Sequence, residues 1–475
     1  MSSILSGRLA PSAPIPPTGR GQRWDRARLR RAARAILAAG LEAADPARLV
    51  RRHLRLDEDS LSVAGIKHRF RKGKRLVMVA AGKAAATMAR AAEEVLGDRI
   101  SEGLAVDIVP ADPALLHSRL RVARHPLPDT RGLRAANEIE ALARGLEEDD
   151  LLLLLVSGGA SALLPAPVPG ISLEDKVSVT SLLLRAGATI NELNTVRKHL
   201  SRLKGGGLAR IAYPAHVACL VLSDVVGDDL STIASGPTVP DGSTYGEALD
   251  VLRGRQLLSA IPRSVRRHLE AGAAGKVEET PKPKDRVFRR VRTRIVGSNR
   301  WTVEAAAQEA RKLGLRALTL TTFLEGEARE VSRALVSVLR ECVESGSPGE
   351  PPVCLLAGGE TTVTVRGDGL GGRNQELVLA AVEPLASFAA HAVVASLATD
   401  GIDGVSGAAG GVVDQDTLRR ARQMGLAPPA VFMATSDSAG FLAPLGDLII
   451  TGPTGTNVVD LTILLAGDSK RIQPA

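Results

Sequence analysis

The chain has 475 residues, 44% of them hydrophobic, which is too many for one ordinary core and predicts two folded domains. A formal charge of +9 favours anionic ligands, but with only six Phe, two Trp and two Tyr there is almost no stacking platform for single-stranded nucleic acid, so a phosphorylated metabolite accounts for the charge as well. Cys219, Cys342 and Cys354 lack CxxC spacing and the eight histidines form no HExxH pair, which argues against a disulfide framework and a structural zinc.

Residues 1–22 are rich in Pro, Ser and Gly and read as a disordered tail without the apolar core of a signal peptide. A basic Ala-rich helix follows. Seven arginines lie between Arg20 and Arg34, as an RNA-binding arm would have them, but Ala27, Ala32, Ala35, Ile36 and Leu37 supply the apolar surface of a docking helix, which is the preferred reading. Beyond it, buried-strand runs at 75–80 (RLVMVA), 151–156 (LLLLLV) and 217–224 (VACLVLSD) alternate with helical patterns. None is long enough to cross a bilayer, so a cytoplasmic protein with no membrane partner is expected.

The basic, Pro-containing stretch 276–294 reads as a domain crossing, after which RIVGSNR restarts the alternation. The expectation is therefore an N-terminal α/β domain over 23–285 and a C-terminal one over 286–475, each with a Rossmann-like, mainly parallel sheet covered by helices on both faces. Ligands of such sheets bind beyond the carboxyl ends of the strands. Glycine-rich polar turns follow five of the expected strands: AAGKAA, VSGGASALLPAP, SDVVGDD, GSNR and ATDGIDG.

Lys83 follows Gly82 at the start of an Ala-rich helix, where an ammonium and a helix N-terminus could share a phosphate, or where a surface lysine could simply sit. Val77 and Ala84 exclude a Walker A loop, and a single glycine excludes the GxGxxG dinucleotide fingerprint. Over 191–209, read as one helix ending in Gly205, Gly206 and Gly207, the residues Asn194, Arg197, Ser201 and Lys204 share a polar face opposite Val196, Leu200 and Leu203. Asp224, Asp228, Asp229, Asp400 and Asp403 lie in strand-end turns and suit either Mg²⁺ or Asx-turn capping. In GDGLGGRNQEL, residues 367–377, four glycines precede Arg373 and an apolar helical run, an arrangement suited to backbone amides closing on an anion.

Taken in order, LVMVAAGKAA, HPLPD, SGGASALLPAP, NELNTVRKHLSRLKGGGLA, LSDVVGDDLSTIASGPT, LAGGETTVTVRGDGLGGRNQEL, ATDGIDG and TGPTGTNVVD resemble the glycerate 2-kinases of the MOFRL type, over about residues 30–465. The resemblance implies transfer of the ATP γ-phosphoryl group to the 2-hydroxyl of D-glycerate with Mg²⁺, in a cleft between two α/β domains. It makes Lys83 and Arg373 the essential lysine and arginine, with Asp224 or Asp400 as acceptor of the hydroxyl proton. Gly82, His125, Ser157, Gly158, Gly159, Asn194, Arg197, Lys204, Gly371, Gly372 and Asn374 become candidate substrate or phosphate ligands, and Asp224, Asp228 and Asp400 candidate metal ligands. Arg124 stands before His125 where the family is expected to have glycine. The implied partners are ATP and D-glycerate, with a homodimer as the allowed assembly and no nucleic acid; the alternative function is an NAD(P)H-dependent hydroxypyruvate reductase.

Overall fold

The structure is a computed structural model that describes residues 23–69 and 73–468. The tail expected over 1–22 lies outside the described residues. The chain divides into two compact units, one formed by Pro46–Val296 and the other by Met1–Asp45 together with Gly297–Ala475.

In the Pro46–Val296 unit a six-stranded sheet has the order Arg119–Val122, Glu102–Asp107, Leu76–Ala81, Leu151–Val156, His216–Leu222, Val291–Gly297. The four pairings from Arg119–Val122 through His216–Leu222 are parallel, as expected. Leu76–Ala81 and Leu151–Val156 are buried at every position, the pattern of central strands covered on both faces. Leu104, Val106, Ile139, Leu152 and Leu154 lie in one core cluster. A second cluster gathers Val179, Leu183, Val196, Leu200, Leu249 and Leu269 with Tyr245, from the helices Leu173–Arg185, Ile190–His199, Tyr245–Gly254 and Arg263–Ala273 and the segment just beyond His199. A small antiparallel sheet, Leu54–Asp57, Ser60–Val63 and Ile66–Arg69, was not expected from sequence.

The stretch read as a domain crossing instead forms a short 3-10 turn at Arg286–Arg290 and the sixth strand of this sheet. The division consequently falls at Val296 rather than at 285.

The other unit corrects the expectation of mainly parallel sheets. Its strand order is Arg316–Leu324, Val353–Gly359, Asp460–Ala466, Ala392–Ala398, Gly410–Asp414, Leu448–Ile449, and only the first pair is parallel. Burial explains the misreading: Val353–Gly359, Ala392–Ala398 and Asp460–Ala466 are buried throughout, and an unbroken apolar run records coverage on both faces, not strand direction. Alternate residues of these strands feed two cores, Leu355, Val394 and Leu464 on one face and Leu356, Val393 and Ile463 on the other.

The second of those cores also takes Leu29, Ala32, Ala33, Ile36 and Leu37 of the helix Arg26–Ala43, which packs beside Ala306 and Ala307 of Asn299–Lys312. The first described helix therefore belongs to the C-terminal unit and not to an N-terminal domain beginning at 23. Arg28 and Arg30 are spent within the fold, while Arg31 and Arg34 are exposed. Arg30 pairs with Asp414 at 3.1 Å and Asp447 at 2.6 Å, Arg420 also reaches Asp447 at 2.6 Å, and the Arg28 guanidinium lies 4.2 Å from the Trp24 ring centroid. Ile36→Ala should leave a cavity in this core and cost about 2–5 kcal/mol. Denaturant unfolding checks this, and an unchanged midpoint would contradict the docking of the helix.

Candidate active site

Leu76–Ala81, Leu151–Val156 and His216–Leu222 are neighbours in one parallel sheet, so the turns that leave them meet at one edge. Gly82 has φ +129°, and a Cβ there would lie 2.2 Å from Ser157 Oγ and 2.4 Å from Ser157 O. Only glycine lets the two turns touch. The Lys83 N–H then donates to Gly158 O at 2.8 Å and the Ala84 N–H to Ser157 Oγ at 3.0 Å.

A Cβ on Gly158 would fall 2.0 Å from Asp224 Oδ2, which sets the Asp224 carboxylate directly against this turn. Gly159, at φ +85°, is bracketed by Lys83 Cγ and His125 Cδ2, each 3.2 Å from where its Cβ would be. Burial of the ring edge, then the Lys83 charge, hold the His125 pKa below the usual imidazole value. Lys83, His125, Ser157, Gly158, Gly159 and Asp224 are thus brought together as the sequence suggested. Asp129 steadies the His125 loop by capping Thr130–Arg144 and accepting from the Arg124 N–H; the Arg124 side chain is exposed, and nothing in the structure gives it a role.

Asp228 has φ +58° and donates its N–H to Val225 O at 3.0 Å, closing the turn beyond Asp224. Asp229 is committed to capping: burial raises its pKa, but hydrogen bonds from Ser231 and Thr232 overcome that and hold it below the usual carboxylate value.

The segment 191–209 departs from a single helix. Ile190–His199 is helical, Ser201 makes an isolated bridge with Pro167, and a second helix runs from Gly207 to Ala212. Ser201 and Lys204 therefore lie past the helix on whose face they were placed. Lys204 nevertheless folds back to its neighbours: its Nζ donates to Ser161 O and Ser161 Oγ, both at 2.8 Å. Ser161 Oγ lies 3.0 Å from Ser235 Oγ, which donates to Asn194 Oδ1 at 2.9 Å. Lys176, not singled out from sequence, donates to Pro165 O. The sequence signal that could have found it is faint, one lysine among the apolar positions of a helix beginning LEDKVSV.

The glycine loop answers differently from the expectation. Cβ atoms at Gly367 and Gly369 would meet Thr435 and Asp437, at Gly371 Ser438 Oγ at 2.2 Å, and at Gly372 Asp403 Cγ at 2.3 Å. The close approach is made by the chain itself. The amides at the start of Arg373–Leu385 already hold an anion, because the Asn374 and Gln375 N–H groups donate to the Asp403 carboxylate at 3.1 and 2.9 Å. Asn374 is buried with its side chain between Asp403 and Ser396, so it is a scaffold residue and not a ligand for substrate. Gly371 and Gly372 serve the same packing.

Arg373 places its fork on Asp460, Nε to Oδ2 at 2.5 Å and Nη2 to Oδ1 at 2.9 Å, with Glu360 at 3.0 Å. Burial works against the Arg373 charge, yet Asp460 and Glu360 hold its pKa above the usual value, while burial pushes Asp460 up to about 6 against the pull of Arg373. Asp400 accepts from the Ile402 N–H at 3.0 Å, an Asx turn.

Among the described residues, no three His, Cys, Asp or Glu side chains gather as a metal cage. Mg²⁺ needs only one or two carboxylates when phosphate oxygens and water complete its shell, and Asp224 lies against the Gly158 turn that clasps Lys83, with Asp228 closing the turn beyond it.

Comparison with known proteins matches residues 32–270 to a domain of unknown function (DUF4147) and residues 353–460 to the MOFRL family. A glycerate 2-kinase of Pyrococcus horikoshii is 40% identical, over 92% of this chain and 97% of its own length. The chain belongs to the glycerate 2-kinase family. A D-glycerate 2-kinase of Thermotoga maritima is 39% identical over 82% of the chain and 90% of that protein. A crystal structure of a Thermotoga maritima glycerate kinase superposes with a TM-score of 0.80 at 38% identity, covering 92% and 99% of the two chains. One Agrobacterium vitis relative, 39% identical over 83% of this chain and 87% of its own length, carries a qualified hydroxypyruvate reductase name. Within this family frame the Gly158 contact is a direct test of the site. Gly158→Ala should displace Asp224 and lower kcat/KM by about 10²-fold, the cost of an ångström-scale misplacement, with little change in melting temperature. Parental kinetics would separate Asp224 from the chemistry.

Proposed function

We propose that the chain transfers the γ-phosphoryl group of ATP to the 2-hydroxyl of D-glycerate, giving 2-phosphoglycerate and ADP. The observation that carries this reading is the convergence of Lys83, His125 and Asp224 on the Gly82 and Ser157–Gly159 turns, in a chain of the glycerate 2-kinase family. Phosphoryl transfer asks chiefly for positioning and neutralisation of charge, and these residues supply both.

In this mechanism the Lys83 ammonium, aimed from a turn whose backbone is clamped to Gly158, neutralises the oxygens of the transferring group. Asp224 takes the proton of the 2-hydroxyl as that oxygen bonds to phosphorus, and the bond between phosphorus and the bridging oxygen breaks to leave ADP. His125 contacts the acceptor. Bound Mg²⁺, held by Asp224 and Asp228 with phosphate oxygens and water, would neutralise the β- and γ-phosphoryl charge. Asp400, committed to its turn, is the weaker candidate for either a metal or a proton. Arg373 keeps its proposed catalytic role through the resemblance, with Asp460 as the group that aims it.

Regiochemistry tests the reading. With ATP, D-glycerate and a divalent metal the product should carry phosphate on carbon 2; phosphate on carbon 3, or undiminished turnover in EDTA, would overturn it. NADH oxidation with hydroxypyruvate would instead establish the reductase alternative, for which the chain has no dinucleotide fingerprint.

Two substitutions separate the roles. Lys83→Ala should lower kcat/KM by about 10²–10³ or more at near-parental melting temperature. Arg373→Lys keeps a charge but loses the fork, so kcat/KM should fall by about 10²–10³. Because Asp460 is nearly buried and loses a bond, this variant should also melt below the parent. Kinetically silent Arg373→Lys would leave Arg373 with a packing role alone.

A further inference from the structure

Lys176 and Lys204 are only 5% and 3% exposed, and Arg197, on the Ile190–His199 helix, is half-buried. Among the described residues no carboxylate pairs with any of the three. The acidic groups of this region are already taken: Glu140 by Arg202 and Arg144, and Asp241 by Lys198, Ser243 and Thr280. Buried charges in proteins are ordinarily paired, so two lysines that donate only to neutral oxygens, beside an arginine with no carboxylate partner, are a demand for an anion.

The hydrogen bonds add direction to that demand. The Lys204 ammonium can only donate, so Ser161 Oγ accepts from it and passes its own proton to Ser235 Oγ, which passes its proton to Asn194 Oδ1. The Asn194 amide is thereby oriented with its carbonyl used and its Nδ2 left as a buried donor with no partner. Every element of the cluster offers positive charge or an N–H.

We propose that Lys176, Arg197, Lys204 and Asn194 form the pocket for the carboxylate of the three-carbon acceptor, with Lys176 a binding residue. Two observations choose the acceptor over the nucleotide. Lys176 and Lys204 are too enclosed for a nucleoside triphosphate, which needs an open groove, whereas a carboxylate is small. Ser161, which holds Lys204, is two residues beyond Gly159, a separation of at most about 7 Å along the chain, so an acid anchored here presents its 2-hydroxyl near Lys83 and Asp224. Burial, then the neighbouring cations, hold the pKa of both lysines well below the usual lysine value, and a bound carboxylate would act against both effects.

The proposal rests on the glycerate kinase reading, and direct binding separates the two. D-glycerate is titrated calorimetrically into the full-length protein without nucleotide, and KM is measured for D-glycerate and ATP, in the parent and in Lys176→Met, Lys176→Arg and Arg197→Met. The expected result is a Kd and KM for D-glycerate raised at least tenfold in both Met variants, a KM for ATP within twofold of the parent, and partial rescue by Lys176→Arg. Parental affinity should also weaken as pH rises and the lysines lose their protons. A raised KM for ATP with that for D-glycerate unchanged would assign the cluster to the donor phosphates, and a lowered melting temperature with both KM values unchanged would make it a brace for the loop; either overturns the proposal. Should Lys176→Met fail to fold, Arg197→Met carries the test, because Arg197 makes no hydrogen bond or ion pair among the described residues. Variant-sensitive binding of D-glycerate without any phosphoryl transfer would sink the kinase reading and leave the pocket standing.

Discussion

The Pro46–Val296 unit turns on one backbone clasp, the Lys83 N–H on Gly158 O with the Ala84 N–H on Ser157 Oγ. It ties together the ends of two adjacent buried strands whose side chains could not otherwise specify where the turns point. Gly82, Gly158 and Gly159 are there because a Cβ at any of them would enter Ser157, Asp224 or the Lys83–His125 pair. The clasp sets Lys83 beside Gly158 and Gly159, against which the Asp224 carboxylate and the His125 ring lie.

Two places in the protein treat charge in opposite ways. Around Arg373–Leu385 every strong charge has an internal answer: Asp403 sits on the helix amides, Asp460 on Arg373, and Arg329 on Glu376 at 2.7 Å. Such buried pairs add little net stability over apolar residues, but removing one member is expensive, so they fix geometry more than they add to the fold. Around Lys176, Arg197 and Lys204 the balance is left open. A protein that tolerates uncompensated buried cations accepts instability there, and the usual reason for accepting it is a ligand that supplies the missing charge.

How much of this was legible depended on the kind of information. The strand 151–156 was read to the residue, and those at 75–80 and 217–224 to within a residue or two, because apolar runs bounded by glycine turns leave few alternatives. Lys83 and Asp224 were legible as strand-end residues, and His125 only as a histidine in the Pro-rich stretch HPLPD. Strand direction in the C-terminal sheet was not, since LLLLLV and DLTILLA look alike whether their neighbours run parallel or antiparallel. Asp403 and Asp460 were not legible as internal partners because they lie 29 and 87 residues from the amides and the guanidinium that they satisfy. A glycine-rich loop before an arginine reads the same whether the anion comes from outside or from the chain. Lys176 escaped for the converse reason: a lone lysine in a helix gives no sign that the fold will bury it.

The helix Arg26–Ala43 has a consequence for the order in which the chain can assemble. Its apolar face is completed only by residues beyond 297, with the whole of the Pro46–Val296 unit in between. At ribosomal speeds of about 5–20 residues per second, that intervening unit of roughly 250 residues takes on the order of ten to fifty seconds to emerge. During that interval the middle of the protein can finish folding while its first helix waits with Leu29, Ile36 and Leu37 uncovered. The C-terminal unit is thus closed by a helix made before the intervening unit and captured by strands made after it.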